Sequence, residues 1–227
     1  MKTSPHIMIL AGEVSGDAHA AEFVEEIKLI RPDIRLTGMG TTLMKKAGVD
    51  IFFDSASIAV VGIVEVLRHW GEIKKAMNLV KTALEDTQPD LLILVDYPEF
   101  NLKMARYAKS LGIKVLFYIS PQVWAWRPKR IHKIGRSIDH MAVLFKFEQA
   151  LYEKANIPVS FVGHPLVDKV KTNIDSNQAR LSLELDQDDI VVGLFPGSRK
   201  SEIHRLLPLM LKTAKLMLER NPKVKFI

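Results

Sequence analysis

The stretch HIMILAGEVSGDAHAAEFVEEIKLI, residues 6–30, carries the fold decision. His6–Leu10 is a short run of bulky apolar residues with no polar alternation, so it needs cover on both faces. AGEVSGD, Ala11–Asp17, follows with two glycines. Ala18–Ile30 then repeats its apolar positions at helical spacing. Strand, loop and helix in that order imply a parallel sheet, because only a crossover can carry the chain back to a parallel neighbour.

The same grammar recurs outward from this point. Further apolar runs lie at Ile34–Thr37, Leu91–Val95, Val115–Ile119, Met141–Phe145, Ser160–Val162, Val191–Phe195 and Val224–Ile227. Helical periods fall between most of them, at Glu72–Asp86, Leu102–Leu111, Phe147–Ala155 and Ser201–Glu219. The pattern predicts a doubly wound α/β fold of Rossmann type. From Pro165 to Asp189 it lapses into polar sequence ending in LDQDD. Residues 1–165 therefore read as one domain, 166–189 as a linker, and 190–227 as the start of a second Rossmann-like domain. Two strands and one helix cannot close such a core, so the sequence reads as cut short at Ile227.

Composition narrows the function classes. Of 227 residues, 48% are hydrophobic and 26% charged, enough for a buried core. There is no cysteine, hence no disulfide framework and no thiolate metal site. The N-terminal apolar run meets Glu13 too early for a signal peptide, and the longest uncharged stretch, Val115–Trp126, is far too short to span a bilayer. The net charge of +6 suits anionic partners (nucleic acid, phosphorylated metabolites or an anionic membrane), or ordinary solubility. Its densest cluster is Arg127, Lys129, Arg130, Lys133 and Arg136.

In this fold class ligands bind beyond the carboxyl ends of the strands. Four loops there carry chemistry. AGEVSGD offers Gly12 and Gly16 for close backbone approach and Asp17 as a cap for the following helix; a ligand loop and a plain turn remain equal readings. VDYPEFN, Val95–Asn101, places Asp96 at a strand end where a carboxylate can act as general base, with Asn101 read as a helix cap and Glu99 as a solvated acid. YISPQVWAWRPKR, Tyr118–Arg130, holds two of the three tryptophans, Trp124 and Trp126, in what reads as an extended loop that points them to opposite sides. LFPGSRKSE, Leu194–Glu202, sets Ser198 and Arg199 before a helix, a construction suited to phosphate, although Ser198 also reads as a simple cap.

Taken in order, AGEVSGD, VVGIVEVLRH, DYPEFN, YISPQVWAWRPKRIHKI, FVGHP and FPGSRKSEI resemble the lipid-A-disaccharide synthase family, inverting glycosyltransferases of GT-B type. The matches run from residue 9 to 205. Family members continue well beyond this length and complete a second Rossmann domain that carries much of the UDP-sugar site. The resemblance implies condensation of UDP-2,3-diacylglucosamine with 2,3-diacylglucosamine 1-phosphate, releasing UDP. It implies Asp96 as the base. It also assigns Gly12, Glu13, Ser15, Gly16, Asp17, Ser198, Arg199 and Glu202 to the substrate and UDP site, with Trp124 and Trp126 shaping the cleft. Glu99 stands where the family more often has Asp, which leaves it outside the implied machinery.

Acylated substrates imply a cytoplasmic enzyme working peripherally on the inner membrane. The stripe Val60, Ile63, Val64, Leu67 and Trp70, flanked by Arg68, His69, Lys74 and Lys75, then reads as an interfacial helix; without that context it reads as a helix buried on the sheet. No cofactor, metal or nucleic acid is implied. The D-x-D at Asp186 and Asp188 precedes a strand and is read as accidental, and His164 as a hinge or packing residue. Two alternatives stand: another sugar-nucleotide enzyme of this fold, such as a UDP-N-acetylglucosamine epimerase, or a non-catalytic peripheral membrane binder.

Overall fold

A computed structural model describes residues 4–58, 69–126, 128–170, 174–197 and 200–227. The chain divides into two compact units, residues 1–167 and 168–227.

The first unit is a seven-stranded, wholly parallel sheet: β1 (His6–Ala11), β2 (Arg35–Gly40), β3 (Asp50–Asp54), β4 (Leu91–Val95), β5 (Lys114–Tyr118), β6 (His140–Val143) and β7 (Val159–Phe161). Their spatial order is β3-β2-β1-β4-β5-β6-β7. The winding reverses between β1 and β4, which opens the topological switch point where such folds bind ligands.

Period-two burial explains why β1 and β4 show no polar alternation. Met8 and Leu10 of β1, with Leu92 and Leu94 of β4, face one core; Ile7, Ile9, Ala11, Ile93 and Val95 face the other. The second core is covered by α1 (Val14–Ile30) through Ala20 and Val24, and by Met44 of α2 (Thr42–Lys46). The first is covered by α3 (Trp70–Thr87) and α4 (Pro98–Ser110), whose Val80, Leu84, Met104 and Ala108 are completely buried. Burial of Val80, Leu84 and Met104 contributes about 1.5–3 kcal/mol each.

Two short elements at the β2–β3 edge escape the sequence reading. β3, with the sequence DIFFD, is a half-exposed edge strand bracketed by aspartates, so its apolar run is too short to register. The five-residue α2 is below any self-sustaining helix length. It is held from outside: the Asp17 carboxylate accepts from the Thr41 and Leu43 N–H groups at its start, and Lys28 Nζ donates to the Ala47 and Gly48 carbonyls at its end. Both signs complement the helix dipole.

Beyond β5 lie α5 (Val123–Trp126), a 3₁₀ turn (Pro128–Arg130), α6 (Ile131–Gly135) and α7 (Lys146–Lys154). The second unit begins with the end of α8 (Leu166–Lys169) and continues with α9 (Ser176–Ser182). Then β8 (Ile190–Val192) pairs in parallel with β9 (Val224–Phe226) across α10 (Lys200–Arg220). Its large apolar residues Phe195, Leu209 and Leu216 are exposed.

Candidate active site at the strand ends

Register aligns three of the candidate loops. Ala11 of β1 and Tyr118 of β5 both pair with Val95 of β4, so residues 12, 96 and 119 leave the sheet at one level. The backbone there is strained: Asp96, Tyr97 and Ile119 adopt φ of +50°, +47° and +70°. Such values are unusual for side chains with a Cβ and outlying for a β-branched one, and strain of this kind clusters at functional sites.

Specific bonds hold these residues in place. The Asp96 N–H donates to the Tyr118 carbonyl at 3.3 Å, and the Ile119 N–H to the Ala142 carbonyl at 3.1 Å. Asn101 is completely buried, and its Nδ2 donates to the carbonyls of Asp96 (2.7 Å) and Val95 (3.2 Å). It is no helix cap. α4 starts at Pro98, whose missing N–H and fixed φ suit a first helical position, so Asn101 sits inside the first turn and ties the turn to the strand end.

The first loop interlocks with the second. A Cβ on Gly12 would lie 2.2 Å from Tyr97 Cδ1, so only glycine lets that ring lie against the backbone. Tyr97 stacks on Phe100 at 5.7 Å and donates from its hydroxyl to the Ile58 carbonyl at 3.0 Å. Its pKa is raised, first by burial and then by the negative charge of Glu13 in the first loop. Val14–Asp17 are not loop: α1 begins at Val14, four residues before the sequence reading starts it. Ser15 is exposed on that first turn, while Gly16 and Asp17 are buried. Asp17 therefore caps α2 rather than its own helix, because all its acceptors point at Thr41 and Leu43.

The tryptophan segment is a helical turn, not an extended loop. The Val123 N–H bonds the Pro121 carbonyl at 2.6 Å and the Ala125 N–H bonds that of Gln122 at 3.2 Å, which closes the backbone on itself. Trp126 is its last residue. Trp124 is about half exposed and packs edge-on against Phe147, with ring centroids 5.3 Å apart. Phe147 stacks on Phe145 at 5.7 Å, and Phe145 lies 5.9 Å from His164. His164 also meets His19 edge-on, with ring centroids 5.9 Å apart, and so packs within an aromatic row. An apolar hollow of about 280 Å³ opens beside Trp124, lined by Val123, Ile131, Leu151 and Ala155 among others.

A buried polar group that the sequence reading missed supports this segment. Glu148 is 3% exposed, and burial raises its carboxyl pKa against the opposing hydrogen bonds of the Phe145 N–H, Trp124 and Ser120. Ser120 shares a 2.8 Å hydrogen bond with Tyr152, whose hydroxyl is pushed to about 12 by burial foremost. Its only sequence signal is the three-residue offset from Phe145 to Glu148, the spacing at which an acid reaches back to a helix start.

This makes a pH prediction. The folded chain holds the Glu148 proton to higher pH than the unfolded chain, where the carboxyl keeps its ordinary value. Above that pH the folded state binds more protons, so this contribution to stability declines as pH rises through the raised value. The stability of Glu148→Gln relative to the natural chain should therefore improve from acid to neutral pH, read from urea midpoints. A difference independent of pH would refute it.

In the second unit, Glu202 stands in the first turn of α10 and folds back over Gly197, where an added Cβ would lie 2.5 Å from its Oε2. Ser198 and Arg199 lie outside the described residues, as do Val60, Ile63, Val64 and Leu67. Trp70 is described: it begins α3, is 51% exposed, and carries Lys103 Nζ 5.5 Å above its ring. The Asp186–Asp189 segment is a tight turn, with the Asp186 N–H bonded to the Asp189 carboxylate at 2.8 Å.

The fold is that of GT-B glycosyltransferases and epimerases. A UDP-N-acetylglucosamine 2-epimerase structure superimposes with a TM-score of 0.63 over 99% of this chain and 63% of that one, at 14% identity. That likeness concerns the fold alone. Sequence is more specific. A lipid-A-disaccharide synthase of Nitrosococcus oceani is 50% identical over 225 residues, 99% of this chain and 58% of that protein. One from Geobacter metallireducens is 51% identical over 229 aligned positions, 100% of this chain and 60% of that protein. The chain thus spans about three fifths of the length of the curated relatives it matches. The family model for lipid-A-disaccharide synthetase matches residues 7–227, which takes in every loop described above. By this match, and by half-identity along its whole length, the chain belongs to the lipid-A-disaccharide synthetase family.

Proposed function

We propose that this chain forms the acceptor-binding part and the beginning of the donor-binding part of an inverting glycosyltransferase. The reaction joins UDP-2,3-diacylglucosamine to the 6-hydroxyl of 2,3-diacylglucosamine 1-phosphate in a β-1,6 linkage and releases UDP. Family membership supports the substrates. The observation that carries the site is the levelled edge of β1, β4 and β5, with Asp96 held at the switch point. A direct displacement needs a base on the acceptor hydroxyl and donors for the departing diphosphate. Asp96 takes the first role in this reading and Arg199 the second, with Ser198 and Glu202 in the same loop and helix turn. Residues 166–189 link the two parts.

The discriminating experiment measures UDP release by the complete enzyme. Release should require both acylated glucosamine substrates together. Interconversion of UDP-N-acetylglucosamine with no release would instead identify an epimerase, the reading that the fold likeness alone permits.

Acylated substrates place the reaction at the cytoplasmic surface of the inner membrane in this proposal. No described helix is long and apolar enough to cross a bilayer. Docking is assigned to the stripe Val60, Ile63, Val64 and Leu67, and half-exposed Trp70 beside Lys103 supports an interfacial position. Val64→Glu with Leu67→Glu should weaken vesicle association and raise the KM for acylated acceptor while the circular dichroism spectrum is kept. Unfolding of that variant would show the stripe to be core.

A further inference from the structure

The basic cluster near residue 130 is joined in space by a second one from a different helix. Lys103 and Arg106 of α4, Arg130 of the 3₁₀ turn, and Lys133 of α6 line a hollow of about 160 Å³ together with Leu102 and Ser137. It merges into a wider, open depression that adds Lys129 and Arg136. Among the described residues the one carboxylate in either lining is Glu99, and Arg130 Nη1 bonds it at 2.6 Å. Elsewhere in this unit the opposite arrangement occurs: Lys109 and Lys114 converge on a single acid, Asp139.

Arg130 is paired with Glu99, whereas Lys103, Arg106 and Lys133, from two helices facing the same small hollow, add three positive charges that repel each other, and a bound anion removes that cost. We propose that this groove between α4 and α6 is a binding site for a phosphate monoester. Several features select that class. A phosphate monoester carries nearly two negative charges at neutral pH and three terminal oxygens, matching a convergent set of cations better than a carboxylate or a phosphodiester does. Arg106 and Arg130 supply guanidinium N–H groups beyond those held by the Leu102 carbonyl and Glu99, and Lys103 and Lys133 supply point charges. The hollow lies below the size range of sites that enclose drug-sized ligands, so it fits the phosphate and leaves the remainder of the ligand outside. The groove is lined by side chains of α4, the 3₁₀ turn and α6, and its cations are none of the residues assigned to the transferase site.

The phosphate can belong to a lipid headgroup or to a soluble anion, and one experiment separates these sources. The full chain is titrated with inorganic phosphate and with phosphatidylcholine vesicles containing phosphatidic acid. Vesicles with a matching negative charge from phosphatidylglycerol, a diester, serve as comparison. All measurements use the Arg199→Ala background, so that the other candidate phosphate loop contributes nothing. Saturable binding of phosphate that displaces the vesicles assigns a soluble ligand; phosphatidic acid binding that phosphate leaves in place assigns a headgroup. In either case Arg106→Glu and Lys133→Glu should each lower affinity about tenfold or more. Lys133→Gln should lower it less, and reversal of the exposed Lys45 and Lys46 on α2 should leave it unchanged. Equal binding to both kinds of vesicle, or equal loss on reversing Lys45 and Lys46, would reduce the groove to general surface charge and overturn the site. So would failure of both probes to bind.

Discussion

Asp96→Asn is expected to lower turnover of the complete enzyme roughly 100- to 10,000-fold, with UDP affinity nearly unchanged. A sugar hydroxyl is a poor nucleophile, and a carboxylate that takes its proton as the new bond forms supplies about 3–5.5 kcal/mol of barrier lowering. Asparagine keeps the size and most hydrogen bonds of aspartate but cannot accept that proton. The clamp on this residue acts on its backbone, through the Asn101 amide and the Tyr118 carbonyl. The position should therefore survive the substitution, and the loss should fall on kcat. Arg199→Ala should behave differently, weakening UDP binding together with rate. Near-normal turnover in Asp96→Asn would remove Asp96 as the base and leave Glu99 and Glu13 as the next candidates.

Gly38→Ala is expected to be among the most destabilising single-methyl additions to the chain. Gly38 of β2 pairs with Ile9 of β1, and a Cβ at that position would lie 2.1 Å from the Ile9 carbonyl oxygen. The obstacle is backbone in the centre of the sheet, so no side-chain rotation relieves it. The register of β2 against β3 also shifts between Gly38 and Met39, which ties the glycine to the irregularity that shapes the edge. A loss of about 3 kcal/mol or more, at the upper end for overpacking, should appear in the urea midpoint. Loss under about 1 kcal/mol would mean that β1 and β2 separate easily, contrary to their close packing.

The strand-and-helix alternation was legible because β1 and β4 are covered on both faces, so their apolar runs are unbroken. Leu91–Val95 was delimited to the residue. What escaped was whatever depends on partners distant in sequence. Asn101 looked like a cap because local reasoning assigns a polar residue near a helix start to that helix; its carbonyl partners belong to the strand end. Asp17 was misassigned for the same reason, since its acceptors serve residues 24 and 26 positions away. The tryptophan turn was read as extended because two prolines and alternating tryptophans imitate a strand-end loop. Glu148 was invisible because burial of an acid leaves almost no mark on its neighbours in sequence.

The wiring of α2 sets an order for events on the ribosome. Asp17 is completely enclosed in the finished unit, and among the described residues its carboxylate accepts from Thr41 and Leu43. A nascent chain that has released only β1 and α1 must leave this acid in water or bury it unpaired, at a cost of several kcal/mol. The first strand–helix unit therefore cannot settle as soon as it emerges. It must wait until about the forty-third residue has cleared the exit tunnel, and then both helices dock in one cooperative step. Pulse-labelled hydrogen exchange on stalled chains should find the α1 amides unprotected until α2 is free, and early protection of α1 alone would show that Asp17 imposes no such delay.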